Sequence, residues 1–499
     1  MAGRASSGDG SAPKRGSLPR GWRGPLALVC GLVMLAATVE IVLDASLEHS
    51  PLIPPQPHIA TWLQSLGGER LGFRVFLIAL LAFTAAYACL LLVLNARVRA
   101  RALSTPAETS TSTEQRIAAW SIALVAALNL IVFAGPILIS TDVFSYIAYA
   151  RMGVVHGVNP YLHGPQTIVG DPVFKYVGQD WVRVATAYGP LYTLITYPLG
   201  YLGVVGAVWG MKAYALIASA ITLVLTWRVA QRRGLDRVFA LVAVGANPLY
   251  VIYALGGAHN DLIMLALMMG AVALTLGRSG DAAAGETVEA ASGSSVEGGA
   301  GSGAGFAEEG GPGGASWQRE AWAGALVVIG GLVKATVAVM LPFMIVGRRR
   351  LAPAIGGLVA LVLGGLAGYL VFGIHGIDVV SALNRDSAFV STDSFPNELA
   401  HLVGKPGVFP VDHDALKAAL ALIGLYLLWR TWRGYDWVAA SGWTLLAIDV
   451  TSTWLLAWYI LWSLPLAVVT RDRRLLYATL AVQLLFVIHQ TAPLWAPVQ

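Results

Sequence analysis

Charge is scarce in this sequence. Only 12% of its 499 residues are Asp, Glu, Lys or Arg, against 56% that are hydrophobic, and the mean hydropathy is +0.66. That shortage excludes a soluble globular domain. Cysteine is nearly absent: Cys30 and Cys89 both lie within apolar runs, where a thiol packs as a small hydrophobe and carries no signal of redox compartment. The period-two alternation of a membrane barrel is missing. So is any clear internal repeat, which weighs against transporter folds assembled from duplicated halves.

What is present is a series of apolar runs long enough to cross the roughly 30 Å hydrocarbon layer. In hydrocarbon every backbone polar group must be bonded within its own element, so these runs are expected to be helices packed as one bundle. The expected fold class is an all-α polytopic membrane protein of about 12 to 14 helices. Lys plus Arg outnumber Asp plus Glu, 33 to 28, but the basic residues fall in short clusters at the ends of spans, where they orient helices. No nucleic-acid partner is expected.

The N-terminal stretch "MAGRASSGDGSAPKRGSLPRGWRG", residues 1–24, reads as a disordered basic cytoplasmic tail. The run that follows, "PLALVCGLVMLAATVEIVL", exceeds the roughly 7–15 apolar residues of a signal-peptide core, so it reads as a signal anchor. Spans at 25–43, 73–95 and 117–139 then lead out, in and out again. Residues 50–71 fall in an external loop, and Arg97, Arg99 and Arg101 fall inside. Asp142 is thereby delivered to the extracytoplasmic interface. The basic clusters near residues 230, 350, 432 and 472 can all be cytoplasmic if 188–202 is a partial or re-entrant segment followed by one full span. A run at 321–346 is interrupted by Lys334, which predicts two short helices meeting there, because a Lys at mid-bilayer costs several kcal/mol. Residues 278–319, rich in Gly, Ala, Ser and Glu, read as a disordered cytoplasmic linker between two transmembrane parts, 25–277 and 320–499.

Ionisable residues outside the basic clusters collect at a few places, all expected on the external side. They are Asp142 among Tyr residues, "GGAHNDL" with His259, Asn260 and Asp261, Lys334, the stretch 375–403 with Arg385, and the aromatic run 454–465. Polar groups at one end of a bundle imply a site there. The segment "DVFSYIAYARMGVVHGVNPY" predicts a helix capped by Thr141 or Asp142, running to about Gly153, amphipathic, lying along the membrane surface and stopped by Gly157 and Asn159-Pro160. No Gly-rich phosphate loop in a soluble α/β domain is visible. The letters "DHD" at 412–414 match D-x-D but read as a helix cap. That pattern leaves no paired-carboxylate metal site, so no essential divalent ion is expected.

The ordered set "TDVFSYIAYARMGVVHGVNPY", "AYGPLYTLITYPLG", "NPLYVIYALGGAHNDLIMLALM", "GLVKATVAVMLPF" and "WYILWSLPLA" resembles the GT-C superfamily. Within it, the chain is most similar to the actinobacterial α-(1→6)-mannopyranosyltransferases of the MptA and MptB type. The resemblance implies a GT-C bundle with an extracytoplasmic helix after the third span. It also implies inverting transfer of mannose from a polyprenyl-phosphate-mannose donor to a mannan glycolipid acceptor, of the lipomannan type, on the outer face of the cytoplasmic membrane. Membrane lipid is then the surrounding partner, and no cofactor is implied beyond the lipid-linked donor.

On that reading Asp142 is the candidate base, since an inverting transfer needs a group to take the acceptor hydroxyl's proton. The departing lipid phosphate gains charge, for which His259 and Lys334 are candidates, with Arg151 and Arg385 behind them. Asn260 and Asp261 are expected to hold the His ring or a sugar hydroxyl, and Tyr146, Tyr188, Trp458 and Tyr459 to offer stacking faces. Two alternatives stay open: a GT-C transferase for another lipid-linked sugar or acceptor, and a transporter or flippase for a lipid-linked sugar. The second should carry its ionisable residues near the bilayer midplane.

Overall fold

The computed structural model describes residues 23–46, 72–102, 111–276, 312–386 and 389–494, and every regular element among them is helical. The α-helices in chain order are α1 (Arg23–Ser46), α2 (Gly72–Ala102), α3 (Thr111–Ala134), α4 (Asp142–Val154), α5 (Pro190–Gly200), α6 (Gly203–Arg232) and α7 (Arg237–Gly245). A π-helical turn, Leu249–Leu255, leads to α8 (Asp261–Thr275). There follow α9 (Pro312–Val333), α10 (Met340–Arg348), α11 (Ala352–Phe372), α12 (Val379–Asp386), α13 (Phe395–Leu402), α14 (Pro410–Trp432), α15 (Trp437–Thr451), α16 (Leu464–Val468) and α17 (Arg473–Gln490).

Five stretches are long and apolar enough to cross a membrane, Gly24–Ser46, Phe73–Arg101, Ser112–Ala134, Gly203–Arg232 and Ala352–Ala382, and a sixth results if α7 and the π turn, bent by 46°, are one span. The protein is a multi-pass membrane protein. Among the described residues the remaining apolar helices, such as α8 and α15 with 15 residues each, are shorter than a full crossing. Fifteen residues rise only about 22 Å.

Short helices arise where the chain places polar residues or breakers. The run around Lys334 breaks there: α9 ends at Val333, Lys334 is extended, and a 3₁₀ turn, Ala335–Val339, leads into α10. The segment 188–202 yields only α5, with the full-length α6 directly after it. The "DHD" motif lies in the first turn of α14, where Asp412 accepts a hydrogen bond from the Phe409 N–H at 3.0 Å. The N-terminal tail 1–24 and the loop 50–71 lie almost entirely outside the described residues, as does most of 278–319.

Three boundaries differ from the sequence reading. The third span ends at Ala134 because Gly135 and Pro136 stop it, so 135–141 is an irregular connection. α9 begins at Pro312, inside the stretch read as linker, and Glu320 near its start is tied to Arg348 at 2.6 Å. α4 is buried on every side, with Val143 through Ala150 all inside, and so does not lie along a surface. Its apolar and aromatic residues pack against α5 and α6 on one flank and the 165–176 turns on another, which leaves no solvated stripe.

The basic clusters meet at one end of the bundle. Arg97 binds Glu114 and lies 3.6 Å from Asp236. Arg233 reaches Asp436 at 2.6 Å and the Val469 carbonyl at 3.3 Å. Arg349 donates to the Trp432 carbonyl, and Tyr435 to Asp472. Helices α3, α7 with its π turn, α8 and α15 each have one terminus in or near this network. Their other termini deliver Asp142, His259, Asp261 and Asp449 to the opposite end.

Candidate active site

A cavity of about 280 Å³ lies at that opposite end, lined by Asp142, Tyr188, Lys334, Asp449, Tyr459 and Trp462 among others. Two irregular connections that hold each other set the position of Asp142 beside His259. The Leu138 N–H donates to the Gly256 carbonyl at 3.0 Å, which brings the approach to Asp142 beside the approach to His259. Each connection contains a non-glycine residue at positive φ, Ile139 at 68° and Ala258 at 53°. A β-branched residue there is strained, and such strain persists only where surrounding packing over-determines the backbone.

Asp142 opens α4 and stands 3.5 Å from the Nδ1 of His259. The Tyr146 hydroxyl approaches the same nitrogen at 3.4 Å, and the imidazole stacks on Trp458 with ring centroids 3.6 Å apart. Burial raises the Asp142 carboxyl to about 6; Lys334 opposes the rise and Asp261 adds to it. A carboxylate held near 6 is ionised at neutral pH and is a stronger base than an ordinary Asp.

Lys334 enters from the break between α9 and the 3₁₀ turn. Its Nζ donates to Asp261 Oδ1 at 2.7 Å, and the Trp462 indole N–H donates to the same oxygen at 2.6 Å. The ammonium also lies 4.0 Å from the centre of the Tyr459 ring and 5.1 Å from that of Trp462. Salt bridge and aromatic faces together hold a charge where solvent is sparse. Gly189 makes this geometry possible: a Cβ there would lie 1.9 Å from the Leu332 carbonyl oxygen. With only hydrogen at that position, Tyr188 and α5 close on the Lys334 break.

Of the residues singled out from sequence, Asp142, Lys334, Tyr188 and Tyr459 line the cavity. Asp261 lies behind it as the partner of Lys334. Tyr146 and Trp458 are buried against His259 and present no face to the cavity. Asn260 is buried with its amide unpartnered and outside the lining. His259 is corrected as a phosphate-binding cation: its side chain has no exposed surface, and burial, aided by Lys334, pushes its pKa well down, so the imidazole is neutral. Arg151 is corrected too, since its guanidinium is taken up by Asp171 at 2.9 Å and by the Gly200 carbonyl at 2.9 Å. Arg385 is exposed on α12 and does not reach the cavity wall. Among the described residues, Lys334 is thus the only Lys, Arg or His in the cavity lining.

Sequence reading missed Asp449 and Trp181, and it marked Trp454 and Trp462 only as part of the aromatic run 454–465; all four line the cavity. A lone Asp inside the apolar α15 was the available signal for the first. Trp181 and Trp454 meet Phe389 with centroids 6.5 and 5.4 Å away, so three distant chain segments build one aromatic rim.

These features define a multi-pass helical membrane protein with a recessed cavity that sets a carboxylate of raised pKa beside a single ammonium and several aromatic rings. The N-terminal-domain model of the α-(1→6)-mannopyranosyltransferases matches residues 27–349, and the chain belongs to that family. It is 26% identical over 385 residues to α-(1→6)-mannopyranosyltransferase A of Mycobacterium tuberculosis, covering 70% of this chain and 66% of that protein. It is 33% identical over 150 residues to α-(1→6)-mannopyranosyltransferase A of Corynebacterium glutamicum, covering 29% of this chain and 30% of the relative. A probable α-(1→6)-mannopyranosyltransferase of Mycolicibacterium smegmatis is 35% identical over 153 residues, 30% of this chain and 27% of the relative. The chain therefore spans just under two thirds of the first relative and less than a third of the other two. No solved structure matches.

Proposed function

We propose that the chain is an inverting mannosyltransferase that moves mannose from a polyprenyl-phosphate-mannose donor to an α-(1→6)-mannan acceptor. The observation that carries this reading is Asp142 and Lys334 lining one cavity, a base and a cation, in a chain of the α-(1→6)-mannopyranosyltransferase family. The sugar and linkage are taken from the relatives' names.

Asp142 accepts the proton of the acceptor hydroxyl as its oxygen attacks the anomeric carbon. The bond from that carbon to the donor phosphate oxygen breaks, and polyprenyl phosphate leaves with the bonding pair. Lys334, paired with Asp261 yet 14% exposed, lies where an ammonium can offset the charge that grows on the phosphate. His259, neutral and clamped between Trp458 and Tyr146, orients Asp142. In this reading Lys334 takes the role a divalent metal plays elsewhere, and a chelator leaves the rate unchanged. The basic network at the other end supports a cytoplasmic side there by the positive-inside rule, and with it the reading of a cavity on the outer face.

The test is transfer of radiolabelled mannose from polyprenyl-phosphate-mannose to short α-(1→6)-mannosides in membranes carrying the native chain or Asp142→Asn. Transfer by the native chain and its loss in the variant support both reaction and base. Equal rates remove Asp142 from the mechanism, and no transfer by folded native protein rejects the reading.

A further inference from the structure

Asp449 lines the cavity from the last full turn of α15, and its residue is 1% exposed. Neither carboxylate oxygen has a hydrogen-bond partner. The donors nearby are committed elsewhere: Lys334 and the Trp462 indole both bind Asp261, and the Ser452 hydroxyl donates to the Trp454 carbonyl at 2.7 Å. A buried carboxylate with no donor is costly and is retained where something else repays it. Aromatic rings stand on the same wall, with Trp454, Tyr459 and Trp462 all lining the cavity beside it.

We propose that Asp449 reads the substrate sugar, its two oxygens accepting hydrogen bonds from two neighbouring hydroxyls of a mannose ring that lies against the aromatic wall. The chemistry selects a neutral polyol. A carboxyl group with both oxygens unpartnered offers acceptor sites, and one O–H donor when protonated, and both match vicinal hydroxyls. With the charged part of the donor at Lys334, the sugar is held at Asp449, which makes Asp449 a specificity-determining residue. Asp142 and Asp449 then divide the labour of two carboxylates in one cavity, one taking a proton and the other recognising hydroxyls. This inference rests on the mannosyltransferase reading above.

The experiment uses purified full-length protein in nanodiscs and follows quenching of tryptophan fluorescence by α-(1→6)-mannobiose and by polyprenyl-phosphate-mannose separately, together with thermal unfolding. Native protein is compared with Asp449→Asn, Asp449→Leu and, as a control away from the cavity, Gly365→Ala, whose added Cβ meets open space. The expected result is tenfold or greater weakening of sugar binding in both Asp449 variants, near-native binding in Gly365→Ala, and a rise in Tm in Asp449→Leu. Opposite movement of binding and stability is what a purely structural Asp would not show. Loss confined to mannobiose assigns the acceptor ring, and loss confined to the lipid-linked sugar assigns the donor ring. Native-like binding in both Asp449 variants overturns the inference while leaving the proposed reaction standing. Absence of binding by folded native protein overturns both.

Discussion

The carboxylate of Asp142 stands 3.5 Å from the imidazole of His259, which is itself sandwiched against Trp458. Neither residue is near the other in sequence, and the contact depends on two irregular connections joined by one hydrogen bond from Leu138 to Gly256. Burial beside a neutral ring raises the Asp142 carboxyl to about 6.

The pH dependence of transfer follows from that value. In its proposed role as the base, Asp142 must be ionised, so kcat/KM is expected to climb with pH, reach half its plateau near 6 and stay flat above about 7. Stability runs the other way. The folded pKa lies above the unfolded one, so the folded state binds more protons between about 4 and 6 and loses stability as pH rises through that window. A rate profile and a Tm profile on the same preparation check both signs, and a rate flat down to pH 5 counts against the assignment.

Removing one partner of the Lys334–Asp261 pair leaves the other buried and uncompensated. Lys334→Met is expected to cost about 3–5 kcal/mol of stability and to abolish transfer. The double variant Lys334→Met with Asp261→Leu should regain much of the stability and none of the activity. Thermal unfolding of the three variants measures the coupling, and a single-variant loss below about 1 kcal/mol contradicts the pairing.

Gly189→Ala places a methyl group 1.9 Å from the Leu332 carbonyl oxygen. The backbone there must give way, at about 1–3 kcal/mol, and Tyr188 moves away from Lys334. We expect a lower Tm and a raised KM for the donor, whereas Gly365→Ala, with open space at its Cβ, should behave as native.

The connection 155–189 is pinned by Asp171, which binds Arg151 at 2.9 Å and His156 at 2.7 Å. Burial works to raise the Asp171 carboxyl, but the hydrogen bonds from Arg151, His156 and the Val173 N–H outweigh it and hold the pKa below the usual carboxylate range. Its contribution is present above the unfolded value near 4 and is lost as pH falls through the folded value. Asp171→Asn should therefore open this connection to proteolysis at pH 7, with the difference from native closing in acid. Equal cleavage rates at pH 7 would show that the pin does not hold the loop.

Composition and local pattern determined a good deal. Scarcity of charge and recurrence of apolar runs dictate a helical membrane bundle, since only helices and closed barrels satisfy their backbone in lipid and the alternation of a barrel is missing. The break at Lys334 and the short α5 follow from a costly charge and from a Gly-Pro start with an internal Pro198. Asp142 and Lys334 were legible as site residues because an ionisable group beside an apolar run is conspicuous. What only the tertiary structure decided is who meets whom. Arg151 and His259 carry the right chemistry for a phosphate, yet one is bound to Asp171 and the other is buried. Asp449 was passed over in the sequence, and the packing of α15 sets it in the cavity lining. Pairing of charges across elements far apart in sequence depends on how helices break and turn, and side-chain identity alone does not record that.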